Sequence, residues 1–273
     1  MKVTVLGSGS KGNSILVEAR GTRVLVDAGF SARDLEGRLK RVGVEPEEIL
    51  AIVITHDHGD HTRGMGVFAR RFGTPLYLTE ATRNACRSLL KGGEETQTYR
   101  AGFPFPIGEL VVEPFLTIHD ATDPVAVAIR DPQTGLKAGV ATDLGRPTAQ
   151  VRHALSGSDL LILEANHDEA LLHQGSYPWS VKSRIASSHG HLSNDAAATL
   201  ALELLHPRLA GVVLAHLSGE CNSPALAEAV VGRALKGAGY RGLLQVAVQD
   251  APTGPLDLRE LSRRLDPDQL SLI

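Results

Sequence analysis

The apolar run Leu50-Ala-Ile-Val-Ile54 leads without a break into Thr55-His-Asp-His-Gly-Asp-His61. This junction constrains the fold more than any other feature of the chain. A short run of apolar and β-branched residues suits a strand buried on both faces. Directly behind it stand His56, His58, Asp60 and His61, all ligand types, and burying them is unfavourable unless something satisfies every one. A pair of metal ions does so. Residues two apart in an extended segment share a side, so His56 and His58 are expected to converge on one ion. Asp60 and His61 fall in the turn entering the next helix and face a second.

The same pattern recurs along the chain. Thr22-Arg-Val-Leu-Val26 runs into Asp27, Val111-Val-Glu-Pro-Phe-Leu-Thr-Ile118 into His119, Lys137-Ala-Gly-Val-Ala-Thr142 into Asp143, and Leu209-Ala-Gly-Val-Val-Leu-Ala215 into His216. Each is one metal-competent residue at the carboxyl end of an apolar strand. Strands ending on one sheet edge can collect distant residues, so His119, Asp143 and His216 are expected to complete the cluster, with Asp143 bridging two cations. Asp27 is expected to hold the cluster loop from behind, and His167, at another strand end, to orient ligands by hydrogen bonding. The two cysteines, Cys86 and Cys221, lie far apart without a C-x-x-C partner, which excludes a disulfide framework and a cysteine-rich zinc site.

Short strands clustered in each half and followed by helices predict packed sheets with helices outside, rather than a strict βαβ winding. Residues 1–273 read as one such unit, since no Pro/Gly/Ser linker divides them. Helices are expected over Ser31 to Arg41, Thr62 to Phe72, Glu80 to Leu90, Thr148 to Ser156, Ser180 to Ser187, Asn194 to Leu205 and Pro224 to Gly237. The amphipathic segment Leu258 to Leu265 is expected to pack on this unit or on a second copy, the latter giving a homodimer. A net charge of −3 argues against a basic nucleic-acid coat but leaves room for a local groove. No apolar run approaches the roughly eighteen residues of a membrane span, and the first residues lack a signal-peptide core, which predicts a cytoplasmic protein with no membrane partner.

Two segments suit an anionic substrate. Gly7-Ser-Gly-Ser-Lys-Gly12 matches G-x-G-x-x-G, but a strand and not a helix follows, so a dinucleotide cofactor is rejected. Ser10, Lys11 and Asn13 are instead expected to form an anion-accepting edge. Residues 170–194 contain no Asp or Glu. Within and beside that stretch, His191, the cap residue Ser193 and the Asn194 helix end are expected to hold a phosphate. Trp179 is expected to stack on bases and Lys182 to meet the backbone.

The residues Asp27, His56/His58/Asp60/His61, His119, Asp143 and His216 resemble, in order, the five motifs of the metallo-β-lactamase superfamily. With Gly7 to Ser14, Glu164-Ala-Asn-His-Asp168, Tyr177-Pro-Trp-Ser180, Gly190-His-Leu-Ser-Asn194 and Ala215-His-Leu-Ser218, the chain looks like the YycJ/WalJ family of that superfamily. The resemblance implies an α/β fold, an αββα four-layer sandwich of two mixed sheets with outer helices. It implies two divalent ions, zinc or manganese, with iron also compatible. His56, His58, His119 and Asp143 would bind the first, and Asp60, His61, Asp143 and His216 the second. It also implies a 5′-to-3′ DNA exonuclease, with a hydroxide shared by the ions attacking phosphorus and Asp60 and His191 as catalytic groups. The 72 residues between Asp143 and His216 exclude the large insertion of the β-CASP nucleases. The alternatives are a hydrolase of a thioester, lactam or small phosphodiester, and a metal-binding module without catalysis.

Overall fold

A computed structural model describes residues 1–265 of the chain; the end of the expected 1–273 unit lies outside the described residues. The strands are β1 (Lys2–Gly7), β2 (Ser14–Ala19), β3 (Thr22–Val26), β4 (Ala51–Val53), β5 (Leu76–Leu78), β6 (Thr96–Thr98), β7 (Phe105–Ile107), β8 (Leu110–Leu116), β9 (Val125–Arg130), β10 (Lys137–Ala141), β11 (Leu160–Glu164), β12 (Gly211–Ala215), β13 (Leu243–Val246) and β14 (Leu256–Asp257). The helices are α1 (Ala32–Arg41), α2 (Gly59–Thr62), α3 (Met65–Phe72), α4 (Glu80–Ala85), α5 (Ala149–Leu155), α6 (Glu169–Gln174), α7 (Trp179–Ile185), α8 (Asn194–Glu203), α9 (Pro224–Gly237) and α10 (Leu258–Leu265).

The strands form two mixed sheets, ordered β14-β1-β2-β3-β4-β5-β6 and β13-β12-β11-β10-β9-β8-β7. Each is part antiparallel meander and part parallel: β3 to β6 run parallel in the first, β10 to β13 in the second. Alternation along the strands explains the layering. Val3, Val5, Val24 and Val26 face Val127, Val140 and Ile162 of the other sheet. The residues between them, such as Leu25, face outward under Leu35 and Leu39 of α1 and Phe68 of α3. On the far side Leu161, Leu163 and Leu214 lie under α5, α8 and α9. Strands buried on both faces are near-continuously apolar for this reason. The result is the αββα sandwich expected.

Several elements differ from the sequence reading. The single helix expected from Thr62 divides into α2, which carries Asp60 and His61, and α3. Helix α4 stops at Ala85 rather than Leu90, because the chain turns so that Leu89 and Leu90 pack against the outer core. Strands β6, β7 and β14 and helix α6 carry weak local signals: β6 is a polar edge, and β7 contains a proline, which an edge strand tolerates. Helix α10 buries Leu258 and Leu261 on its own chain. No helix among the described residues is long and apolar enough to cross a membrane.

Candidate dinuclear metal centre

The carboxyl ends of β3, β4, β10, β11 and β12 meet at one edge of the sandwich. Asp27, Asp143 and His216 follow three of these strands with φ of 65°, 57° and 55°. That left-handed turn is uncommon for any residue but glycine, and such strain gathers at sites where the surroundings hold it in place. Here it swings each side chain back over the sheet edge. Three groups of ligand atoms result, each with its atoms within 4.8 Å of one another: His56, His58, His119 and Asp143; Asp60, His61 and His216; and Asp143, Glu164, His191 and His216.

Each imidazole of the first two groups turns one nitrogen outward to a protein partner. His119 Nδ1 donates to Gly190 O at 2.9 Å and His58 Nε2 to Asp120 O at 3.2 Å; a carbonyl only accepts, so both nitrogens carry hydrogen. His61 Nδ1 donates to Asp27 Oδ2 at 2.7 Å. His56 Nδ1 lies 3.0 Å from Thr55 Oγ1, whose hydroxyl donates to Asp27. Asp27 therefore braces both groups, as its position in the sequence suggests. His216 Nδ1 reaches Glu164 Oε1 at 3.0 Å.

In the first group the inner nitrogens of His58 and His119 are then lone pairs facing one another. His58 Nδ1 and His119 Nε2 stand 3.3 Å apart with no hydrogen left to share. His56 Nε2 is buried with no hydrogen-bond partner among the described residues. Asp143, 2% exposed, directs its oxygens at His61 Nε2 (3.0 Å), His119 Nε2 (3.5 Å) and His216 Nε2 (3.5 Å). Apposed lone pairs around a buried carboxylate repel one another unless cations lie between them, so the donor set fits two divalent ions sharing Asp143.

The electrostatics agree. Burial, reinforced by the neighbouring His61, holds His56 well below the usual histidine range, so it is a neutral ligand. Burial works against charge on His61 and His216 too, but Asp143, with Asp27 beside one and Asp60 and Glu164 beside the other, outweighs it and raises both. Burial likewise opposes ionisation of Asp143, yet the surrounding histidines keep it well below the carboxylate range.

The third group is different in kind. Glu164 is fully buried; Oε1 accepts from both His191 Nδ1 (2.8 Å) and His216 Nδ1 (3.0 Å), and Oε2 accepts from the backbone N–H of Leu144 (2.9 Å) and Leu192 (3.0 Å). All its acceptor capacity is used by N–H donors, so it orients two histidines and is not free to ligate. Its position at a strand end was the available signal; local sequence assigns that role to His167 just as readily. His167 proves instead to make no bond to any of these histidines, which corrects its expected role. Its Nδ1 is buried and unpaired among the described residues, and its backbone carbonyl accepts from Asn194 N.

A chamber of about 350 Å³ opens in front of the cluster, lined by Ser10, His58, Asp60, Asp143, His191, Tyr177 and Arg184 among others. Arg184 pairs with Asp120 on its rim. Of the expected anion-accepting edge only Ser10 lines this chamber. Lys11 is exposed and held by its backbone to Gln249. Asn13 is buried: its side-chain oxygen accepts from Ser8 Oγ and Gly9 N, and its amide donates to Gly9 O and Asp60 Oδ2, so it positions the metal loop. The phosphate site expected at α8 is likewise corrected. Ser193 Oγ accepts from Ala196 N and donates to Glu169, and the Asn194 side chain pairs with Asn222. Trp179 and Lys182 lie around a neighbouring cavity, not the metal chamber.

Two results are expected here. Protein purified without chelator should carry close to two equivalents of divalent metal, with two anomalous peaks separated by Asp143; one fully occupied ion with His216 turned away would contradict this. Gly29 lies against the metal loop, where a Cβ would sit 1.6 Å from Asp60 O. Gly29→Ala should therefore cost about 1–3 kcal/mol, as overpacking does, and reduce metal content. Thermal melting with metal analysis checks both.

A Beta-lactamase superfamily domain matches residues 22–216. The exodeoxyribonuclease YycJ of Bacillus anthracis is 34% identical over 239 residues, covering 87% of this chain and 90% of that protein. The exodeoxyribonuclease WalJ of Streptococcus pneumoniae serotype 2 is 35% identical over 231 residues, covering 83% and 85%. Among solved structures, the metallo-β-lactamase fold protein YhfI of Bacillus subtilis superposes with a TM-score of 0.70 at 19% identity, covering 92% of this chain and 98% of that one. The short form of human tRNase Z gives 0.65 at 18%, covering 93% and 99%. The strand-end ligands, the two-sheet sandwich and these matches lead to one conclusion: the chain belongs to the metallo-β-lactamase superfamily of metal-dependent hydrolases and, within it, to the YycJ/WalJ family.

Proposed function

We propose that this protein is a phosphodiesterase acting on nucleic acid, a DNA exonuclease working from the 5′ end. The observation that carries the phosphodiester reading is His191. Its Nδ1–H is fixed on Glu164, which leaves Nε2 beside the chamber with no partner among the described residues. Burial disfavours charge on His191, but the Glu164 carboxylate outweighs it and holds the imidazole above its ordinary range, which favours the proton-bearing form. A proton donor beside a metal pair suits a leaving alkoxide, as in a phosphodiester; a departing thiolate needs none.

The ions, when bound by His56, His58, His119, Asp143, Asp60, His61 and His216, supply Lewis acidity and an activated water. Asp60, ionised because His216 and His61 outweigh its burial, orients that water as a hydrogen-bond acceptor. His191 delivers its proton to the leaving oxygen, and Glu164 keeps the ring in the donating tautomer. Ser10 and Tyr177 line the chamber where the substrate phosphate enters. DNA as the substrate is supported by the names of the exodeoxyribonuclease relatives, and the 5′-to-3′ direction by the family resemblance of the motifs.

The test is to incubate metal-loaded protein with 5′-labelled and 3′-labelled DNA and RNA oligonucleotides and follow product sizes. Release of the 5′ label as a mononucleotide from the outset, with a descending ladder from 3′-labelled DNA, is expected. Cleavage of RNA alone, or of small chromogenic diesters alone, would overturn the DNA exonuclease reading.

A further inference from the structure

Behind His191, on the side away from the metals, lies a second cavity of about 670 Å³. It is walled by α6, α7 and the start of α8, and His191 is the wall it shares with the metal chamber. Its lining is mixed: Leu172, Leu192 and Ala196 give it apolar surface, and Lys182 and Glu169 are the charged groups on its wall. Trp179 lines it while remaining 73% exposed, although large aromatics normally bury their faces. His167, 3% exposed, also lines it, and its Nδ1 has no hydrogen-bond partner among the described residues. Buried unpaired polar nitrogens are rare because they have lost water and gained nothing. An open indole face and an imidazole with no side-chain hydrogen bond among the described residues both point to a ligand with flat faces and polar edges.

We propose that this cavity seats a nucleobase, that of the nucleotide adjoining the scissile phosphate, stacked against Trp179 with an edge on His167 and with Lys182 near its phosphate. The volume lies within the ordinary range for small-molecule sites and exceeds what a single base needs. Lys182 Nζ donates to His173 O and has further donor positions free for an anion. Base–aromatic stacking tolerates every base, which suits an enzyme that must accept any sequence. The shared wall at His191 sets the spacing: a phosphate at the metals and a base behind the proton donor are neighbours on one strand. The inference rests on the nuclease reading for the source of the base, but the cavity can be tested without cleavage.

Trp179 is the only tryptophan in the chain, so indole emission reports on this cavity alone. Metal-loaded protein is titrated with dAMP, with deoxyribose 5-phosphate and inorganic phosphate as controls lacking a base. Saturable quenching by dAMP, with little from either control, is expected. His167→Leu should weaken dAMP binding by about tenfold, the scale of one net hydrogen bond, while two metals stay bound. Ala196→Phe, which fills the cavity from α8, should abolish the quench. Equal responses to dAMP and deoxyribose 5-phosphate, or unchanged dAMP binding in both variants, would overturn the proposal. Oligonucleotide cleavage is assayed on the same protein. Quenching without cleavage removes the nuclease reading and keeps the base site; cleavage without base-dependent quenching does the reverse.

Discussion

Asp60→Ala is expected to lower oligonucleotide cleavage by about 10³-fold or more while leaving a folded protein. The carboxylate touches both His216 Nε2 (3.2 Å) and His61 Nε2 (3.5 Å), so its loss removes a ligand and the group that orients the nucleophile together. Losing a positioned acid–base group alone costs about 10²–10⁴ in rate. The fold should survive because Asp60 anchors its loop through the backbone: Asp60 O accepts from Asn13 N at 2.8 Å, a bond independent of the side chain. Circular dichroism, metal analysis and kcat/KM on one preparation check this. Metal content falling from two equivalents toward one, with a near-native spectrum, is expected. Activity within tenfold of the parent would remove Asp60 from the reaction, and an unfolded variant would show the site to be structural.

His191→Ala is the second large effect, and it separates proton donation from metal binding. Cleavage of an oligonucleotide should fall about 10²-fold or more, because the alkoxide leaving group then departs unprotonated. A chromogenic aryl phosphodiester, whose aryl oxide leaves readily as an anion, should lose far less. Both ions should remain, since His191 is tied to Glu164 and the first two ligand groups are complete without it. Equal losses on the two substrates, together with a missing metal equivalent, would make His191 a ligand. Glu164→Gln probes the same device from behind. Its amide has to point either at the His191 and His216 N–H groups or at the N–H groups of Leu144 and Leu192, donor against donor in each case. A loss of about 10–100-fold in activity or metal affinity follows, the usual effect of disturbing the groups that orient ligands.

The two-sheet sandwich and the strand-end cluster were legible in the chain because both are written locally. A strand buried on two faces must be apolar along its length, and a ligand at its end must follow it directly, so Asp27, His56, His119, Asp143 and His216 could be found one by one. Elements whose existence depends on a partner were not legible. Strand β14 is two residues paired with β1 from the other end of the chain, and β6 is a polar edge held only by β5. Helix α4 shortens to let Leu89 and Leu90 reach a core that the sequence around them does not describe.

The candidate site divides in the same way. By itself the sequence determined which residues bear chemistry and that strand ends present them, because periodicity and ligand type are properties of short segments. Only the tertiary structure decided what each polar side chain bonds to. Asn13, Ser193 and Asn194 carry the groups a phosphate would want, but residues distant in the chain already occupy those groups. Glu164 and His167 stand three positions apart on one strand end, and the sequence pointed to His167 to orient the ligands. Glu164 does so because the turn after β12 brings His216, and the loop before α8 brings His191, within hydrogen-bond reach of its carboxylate. His167 instead lines a second cavity, formed only when three helices close over it. A hydrogen bond reaches about 3 Å, and no spacing along the chain encodes which of two neighbouring side chains will find a partner that close.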